Sequence, residues 1–103
     1  MAIAEVTVIP VGTGSTSLSG YVADIQKVLL EEQSGGGITF QLTAMSTIIE
    51  GNLDELLRVI RRIHELPFQS GANRVCTNIK LDDRRDRKGS IGQKMKSVAD
   101  RLK

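Results

Sequence analysis

Aromatic residues are almost missing from this chain: it has no tryptophan, and Tyr21, Phe40 and Phe68 are its whole aromatic complement in 103 residues. A core must therefore be assembled from Val, Ile and Leu, and little is left over for stacking on nucleobases. A single cysteine, Cys76, excludes an intramolecular disulfide and fits a reducing compartment. With one histidine, His64, beside it in the inventory, a tetrahedral metal site would need carboxylates or another subunit, so no metal is expected. No segment approaches the ~20 consecutive apolar residues that span a bilayer. The opening Met1–Glu5 has neither a basic region nor a long apolar stretch. The expected compartment is the cytoplasm, with no membrane partner.

Charge of one sign is also scarce, the net value being +2. Basic residues gather towards the C-terminus (Arg84, Arg85, Arg87, Lys88, Lys94, Lys96, Arg101, Lys103), but Asp82, Asp83, Asp86 and Asp100 interleave with them. Such a mixed run reads as a solvated helix face or an intersubunit salt-bridge network, and no nucleic-acid partner is expected. At this length one small domain with a modest core is expected, and oligomerisation would add buried area.

What is present is a clean series of periodicities. Ala2–Val11 alternates, with Ala4, Val6 and Val8 on one face and Ile3, Glu5, Thr7 and Ile9 on the other, as a strand does. The polar loop Gly12–Ser17 follows. Ser17 or Ser19 is then positioned to cap a helix over about residues 18–32, striped by Leu18, Val22, Ile25 and Leu29 with Val28 beside them. Ser34–Gly37 ends it. A strand over Ile38–Thr43 and a second over Met45–Glu50 suggest a hairpin turning near Ala44, although no Asn-Gly pair marks the turn. Gly51 lets the chain turn sharply, and Asn52 with Glu55 resembles a capping box.

The next helix, Asn52–Glu65, carries a broad stripe of Leu53, Leu56, Leu57, Ile60, Ile63 and His64, and Pro67 and Gly71 are expected to close it. Arg74–Asp83 reads as a fourth strand. After a charged stretch through Lys88 and Gly89, a last helix over 91–103 is striped by Ile91, Met95, Val98 and Leu102. The order β-α-β-β-α-β-α predicts an α+β fold, a ferredoxin-like sandwich (βαββαβ) with an extra C-terminal helix. Its uncovered sheet face would show Glu5, Thr7, Gln41, Asn78 and Lys80 among Ile3, Ile9 and Cys76.

Few features carry chemistry. The Gly12–Ser17 loop opens a helix, so its N–H groups could hold an anion, but it matches neither a phosphate-binding Gly-Lys-Ser/Thr loop nor a dinucleotide fingerprint. His64 and Cys76 are expected as a packed, unreactive pair. Thr47 and Glu50 stand beside the mid-chain corner. The Glu50 carboxylate could accept hydrogen bonds from an amino group, pair with a cation, or interact with the following helix N-terminus. Lys80 and Asp82 share one face of the last strand and are expected to ion-pair with neighbours.

Four segments carry a family likeness: Glu5–Gly12, the loop leading to Leu18 and Ser19, Thr47–Gly51, and Ile79–Asp86. Together, over nearly the whole chain in order, they resemble the thiamine-binding, YkoF-like protein family in its single-domain form. That resemblance implies a ferredoxin-like domain pairing through its sheets into a homotetramer built as a dimer of dimers. It also implies binding of thiamine or its hydroxymethylpyrimidine part, with no cofactor and no catalysis. The ligand would be contacted by Thr13, Ser17, Ser19, Thr47 and Glu50, in a pocket between the first loop and the Thr47–Glu50 corner. The rival readings are an amino-acid-binding regulatory module of the same element order, a small enzyme of the acylphosphatase type, and a structural oligomer whose polar sheet face is its interface. The acylphosphatase reading lacks the arginine that such an enzyme needs in the first loop.

Overall fold

The computed structural model describes residues 1–86 and 91–102, with the side chains of 91–93 left aside. Arg87, Lys88, Gly89, Lys103 and the Ile91 side chain of the expected stripe lie outside the described residues. The elements run β1 (Ala2–Pro10), α1 (Ser19–Ser34), β2 (Ile38–Leu42), β3 (Thr47–Gly51), α2 (Leu53–Gln69), β4 (Val75–Asp83) and α3 (Ile91–Arg101). All pairings are antiparallel and the sheet order is β2-β3-β1-β4, which is the ferredoxin-like arrangement with α3 added.

The alternation of β1 decides which side meets the helices. Ala2, Ala4 and Val6 point into the core. There they meet Ile25, Val28 and Leu29 of α1, Ile38 of β2, Ile49 of β3, and Leu56, Val59, Ile60 and Ile63 of α2. The opposite side is set by register. Ile3 lies across from Glu50 and Asp82, Glu5 across from Ile48 and Lys80, Thr7 across from Asn78, and Ile9 across from Cys76. Asp82 is bonded to Lys94 of α3. The two core helices are also tied at their polar edge: Glu32 of α1 receives hydrogen bonds from Arg58 and Arg62 of α2 at 2.6–3.0 Å.

Several local expectations are corrected by packing. The α2 stripe includes Val59, fully buried, whereas Leu57 is 48% exposed, because the sheet covers only one side of the helix. Pro67 lies inside α2 rather than at its end. It deprives the Ile63 carbonyl of an N–H partner, but its ring is fully buried, and Ser70 and Ala72 close the helix by donating to Leu66 and Pro67 carbonyls. Neither expected side-chain cap forms. Leu18 occupies the cap position of α1, and Asn52 caps α2 through its backbone carbonyl, which accepts from Leu56 N–H. Glu55 turns to Arg58 instead.

Gly51 is required for a different reason from a sharp turn: it closes β3 with no positive φ. A Cβ there would stand 3.0 Å from the Gly37 carbonyl oxygen and 3.3 Å from Ile38 Cγ2. His64 and Cys76 do not meet as a pair. Neighbouring strand positions face opposite ways, so Thr77 rather than Cys76 faces the helices; His64 Nδ1 lies 2.6 Å from its Oγ1, and the imidazole packs edge-on to Phe68.

Candidate functional site

The C-terminal end of β1, the first two turns of α1 and the β2–β3 turn surround a cleft of about 340 Å³. Its walls are aliphatic: Val6 and Val8 from β1, Leu18, Val22 and Ile25 from α1, and Leu42 from β2. Thr43, Ser46 and Thr47 supply hydroxyls on the hairpin side, and Met45, 85% exposed, stands at the rim.

The hairpin turn is built by one side chain. Thr43 Oγ1 donates to the Ser46 carbonyl at 2.9 Å and accepts from Met45 N–H at 3.3 Å and Ser46 N–H at 3.0 Å. The Thr43 N–H closes the turn on the same Ser46 carbonyl at 2.8 Å. Threonine thus replaces the Asn-Gly signal that a tight hairpin commonly shows, by hydrogen-bonding its own backbone. The turn delays β3 until Thr47, which pairs with Leu42 and Val6 and points to the helix side, 7% exposed at the base of the cleft.

The expected site residues divide between two faces. Thr47 lines the cleft. Glu50 lies three positions on in the same extended strand and therefore points to the opposite side of the sheet; there its carboxylate accepts a hydrogen bond from Thr39 Oγ1 at 2.7 Å. The picture of Thr47 and Glu50 on a common rim is corrected by this pleat. The loop hydroxyls stay local: Thr13 donates to the Ser15 carbonyl at 3.1 Å, and the Ser17 and Ser19 hydroxyls pair with each other at 3.3 Å. Of that segment it is Leu18, between the two serines, that reaches the cleft. Thr43, Ser46 and Leu42 were not singled out from the sequence. The signal for them is the Thr-Ala-Met-Ser turn, whose two hydroxyl residues bracket a pair too apolar for an ordinary surface loop.

Every cleft-lining residue is uncharged. The nearest end of α1 is its N-terminus, whose first turn contains no acidic residue, so the helix presents the positive end of its dipole without a countercharge. The charged groups collect elsewhere. At the far end of α1, hydrogen bonds from Arg58 and then Arg62 hold the Glu32 carboxyl down from the ordinary 4.5 to about 2. On β4, the Arg85 guanidinium holds Asp83 below the usual carboxylate range. On the uncovered sheet face a smaller recess of about 130 Å³ is lined by Glu5, Thr7, Asn78, Ile79 and Lys80. No described helix is long and apolar enough to cross a membrane.

Comparison with known proteins agrees with this architecture. The protein YqgV of Bacillus subtilis, of the UPF0045 group, is 56% identical over 98 residues, which cover 95% of this chain and 94% of the relative. A UPF0045 protein of Methanothermobacter thermautotrophicus is 40% identical, covering 99% of this chain and all of its own length. Among solved structures, a hypothetical protein of Methanocaldococcus jannaschii superposes with a TM-score of 0.81 at 32% identity over 95% of both chains. A putative thiamine biosynthesis/salvage protein of Thermotoga maritima shares the fold, with a TM-score of 0.66 at 16% identity over 94% of this chain and 97% of its own. The profile of the family described as thiamine-binding protein matches residues 4–99. With the family profile and the curated relatives matching nearly the full length, the chain belongs to the thiamine-binding protein family.

Proposed function

We propose that this chain binds thiamine or a related hydroxymethylpyrimidine without transforming it, acting as a homo-oligomer in the cytoplasm. The observation that carries the reading is the cleft itself, with aliphatic walls and the hydroxyls of Ser46 and Thr47 along one side, the Thr43 hydroxyl being spent within the turn. A flat aminopyrimidine needs an apolar slot for its faces and partners that both donate and accept at its edge, and a hydroxyl does both. The family match and the thiamine-related name of the T. maritima protein point the same way. An amino-acid ligand fits less well, because both of its ends are charged and no lining residue is, whereas the aminopyrimidine end shared by thiamine and hydroxymethylpyrimidine would enter uncharged. An acylphosphatase-type reaction lacks an arginine in Gly12–Ser17.

The uncovered sheet face supports self-association through the sheets, as a dimer or as a dimer of dimers. It sets Ile3, Ile9 and Ile48 around the cross-strand neighbours Glu5 and Lys80. A two-fold partner would offer each charge its opposite. Light scattering on the purified chain reads the assembly directly.

Isothermal titration at protein well above micromolar tests the ligand. Heat with thiamine or hydroxymethylpyrimidine is the expected result, and none with either refutes the reading. Thr47→Val keeps the shape and removes one hydroxyl, so binding should weaken about ten-fold.

A further inference from the structure

We infer that Met45 covers the bound ring, folding its methylthio group from the rim of the cleft onto one face of the heterocycle. This rests on the functional reading above and adds to it a contact that makes the cleft selective for flat aromatic ligands.

The fold has no use for the Met45 side chain. The residue is 85% exposed, and the turn draws only on its backbone N–H, which donates to Thr43 Oγ1 at 3.3 Å. A polar residue of the kind common in turns would serve as well there. An apolar side chain held in water at this position is therefore unexplained by stability. Its neighbours sharpen the point: Val22 and Leu42, 40% and 42% exposed, line the same cleft. Apolar surface left open around one concavity is what a ligand with apolar faces covers.

The shortage of aromatics decides what chemistry Met45 brings. Tyr21, Phe40 and Phe68 do not line the cleft, so no protein ring stacks on a ligand there. The Met45 thioether is the one soft, polarizable group among the described lining residues, and methionine sulfur makes favourable contacts with aromatic rings. The side chain is also free to move while its anchor is not. It is unbranched, with three rotatable bonds, whereas the Thr43 hydroxyl holds the backbone at Met45 and Ser46. Leu18 and Val22 of α1 then supply the fixed wall of the slot and Met45 the movable one. A ring held between them keeps its edge for the hydroxyls of Ser46 and Thr47.

The experiment labels the methionine methyl groups of the full chain with carbon-13. The chain has three methionines, Met1, Met45 and Met95, and Met45→Ala identifies the Met45 signal by its loss. Saturation with hydroxymethylpyrimidine or thiamine should move the Met45 methyl upfield through the ring current of the covered heterocycle. Met1 and Met95, which do not line the cleft, should stay in place. In isothermal titration Met45→Ala should bind about ten-fold more weakly, at an unchanged unfolding midpoint, and Met45→Leu should recover most of the loss. Binding heat together with either an unmoved Met45 methyl or an undiminished affinity of Met45→Ala overturns the cover and leaves the functional reading standing. Absence of heat from both ligands overturns both.

Discussion

Replacing Glu32 by Gln should remove an acid-sensitive tie between α1 and α2. The Glu32 side chain is only 11% exposed and receives hydrogen bonds from Arg58 at 2.6 and 3.0 Å and from Arg62 at 2.8 Å. Those bonds, Arg58 first, lower its carboxyl from 4.5 to about 2. Taken at face value, that fall corresponds to roughly 3 kcal/mol of stability. The guanidinium partners are 50% and 44% exposed, so solvent screening reduces the expected contribution to about 1 kcal/mol. Because the folded-state value is depressed, the stabilisation is fully present above the unfolded carboxyl's value near 4.5 and is lost as pH falls through about 2. Urea unfolding followed by circular dichroism should show Glu32→Gln about 1 kcal/mol less stable than the parent at neutral pH. The two curves should converge towards pH 2, where the parent carboxyl is itself protonated. A gap that keeps its size across that range would show that Gln disturbs packing rather than charge, and the electrostatic account would be wrong.

Other substitutions test the geometry around the cleft and the sheet. Gly51→Ala drives a methyl group to 3.0 Å from the Gly37 carbonyl oxygen, and the strand edge must shift to admit it; a loss of about 1–3 kcal/mol in denaturant unfolding is expected, and a neutral outcome would mean that β2 yields freely. Thr43→Val deletes the hydroxyl that makes three hydrogen bonds within the hairpin turn. It should cost about 1–2 kcal/mol and accelerate amide exchange at Met45 and Ser46, and unchanged exchange there would contradict the role given to the side chain. Val59→Ala opens a cavity in a fully buried position and should cost about 2–4 kcal/mol; a value near zero would mean that α2 does not pack as described.

Much of the architecture was readable along the chain. The two-residue alternation of Ala2–Val8 named the buried face of β1, the apolar positions of Ile25, Val28 and Leu29 named that of α1, and the order of elements was enough for the ferredoxin-like topology. These features depend on local periodicity, which any core-facing strand or helix must obey to bury one side and solvate the other. Capping and helix ends were less legible. Asn52 and Glu55 have the spacing of a capping box, yet Arg58 is the stronger partner for Glu55, and burial of the Pro67 ring outweighs its missing N–H.

Placement of the binding residues divides the same way. That Thr47 and Glu50 face opposite sides follows from their spacing once β3 is known to run straight through Gly51; as a presumed corner, the stretch concealed it. The cleft itself could not be read from any one segment. It exists because Thr43 folds the hairpin back on itself and α1 begins at Leu18 beside the end of β1, bringing together side chains as far apart in the chain as Val6 and Thr47. Periodicity specifies which way a side chain points, whereas the partners it meets there, and the charge they bring, are settled only when distant elements pack.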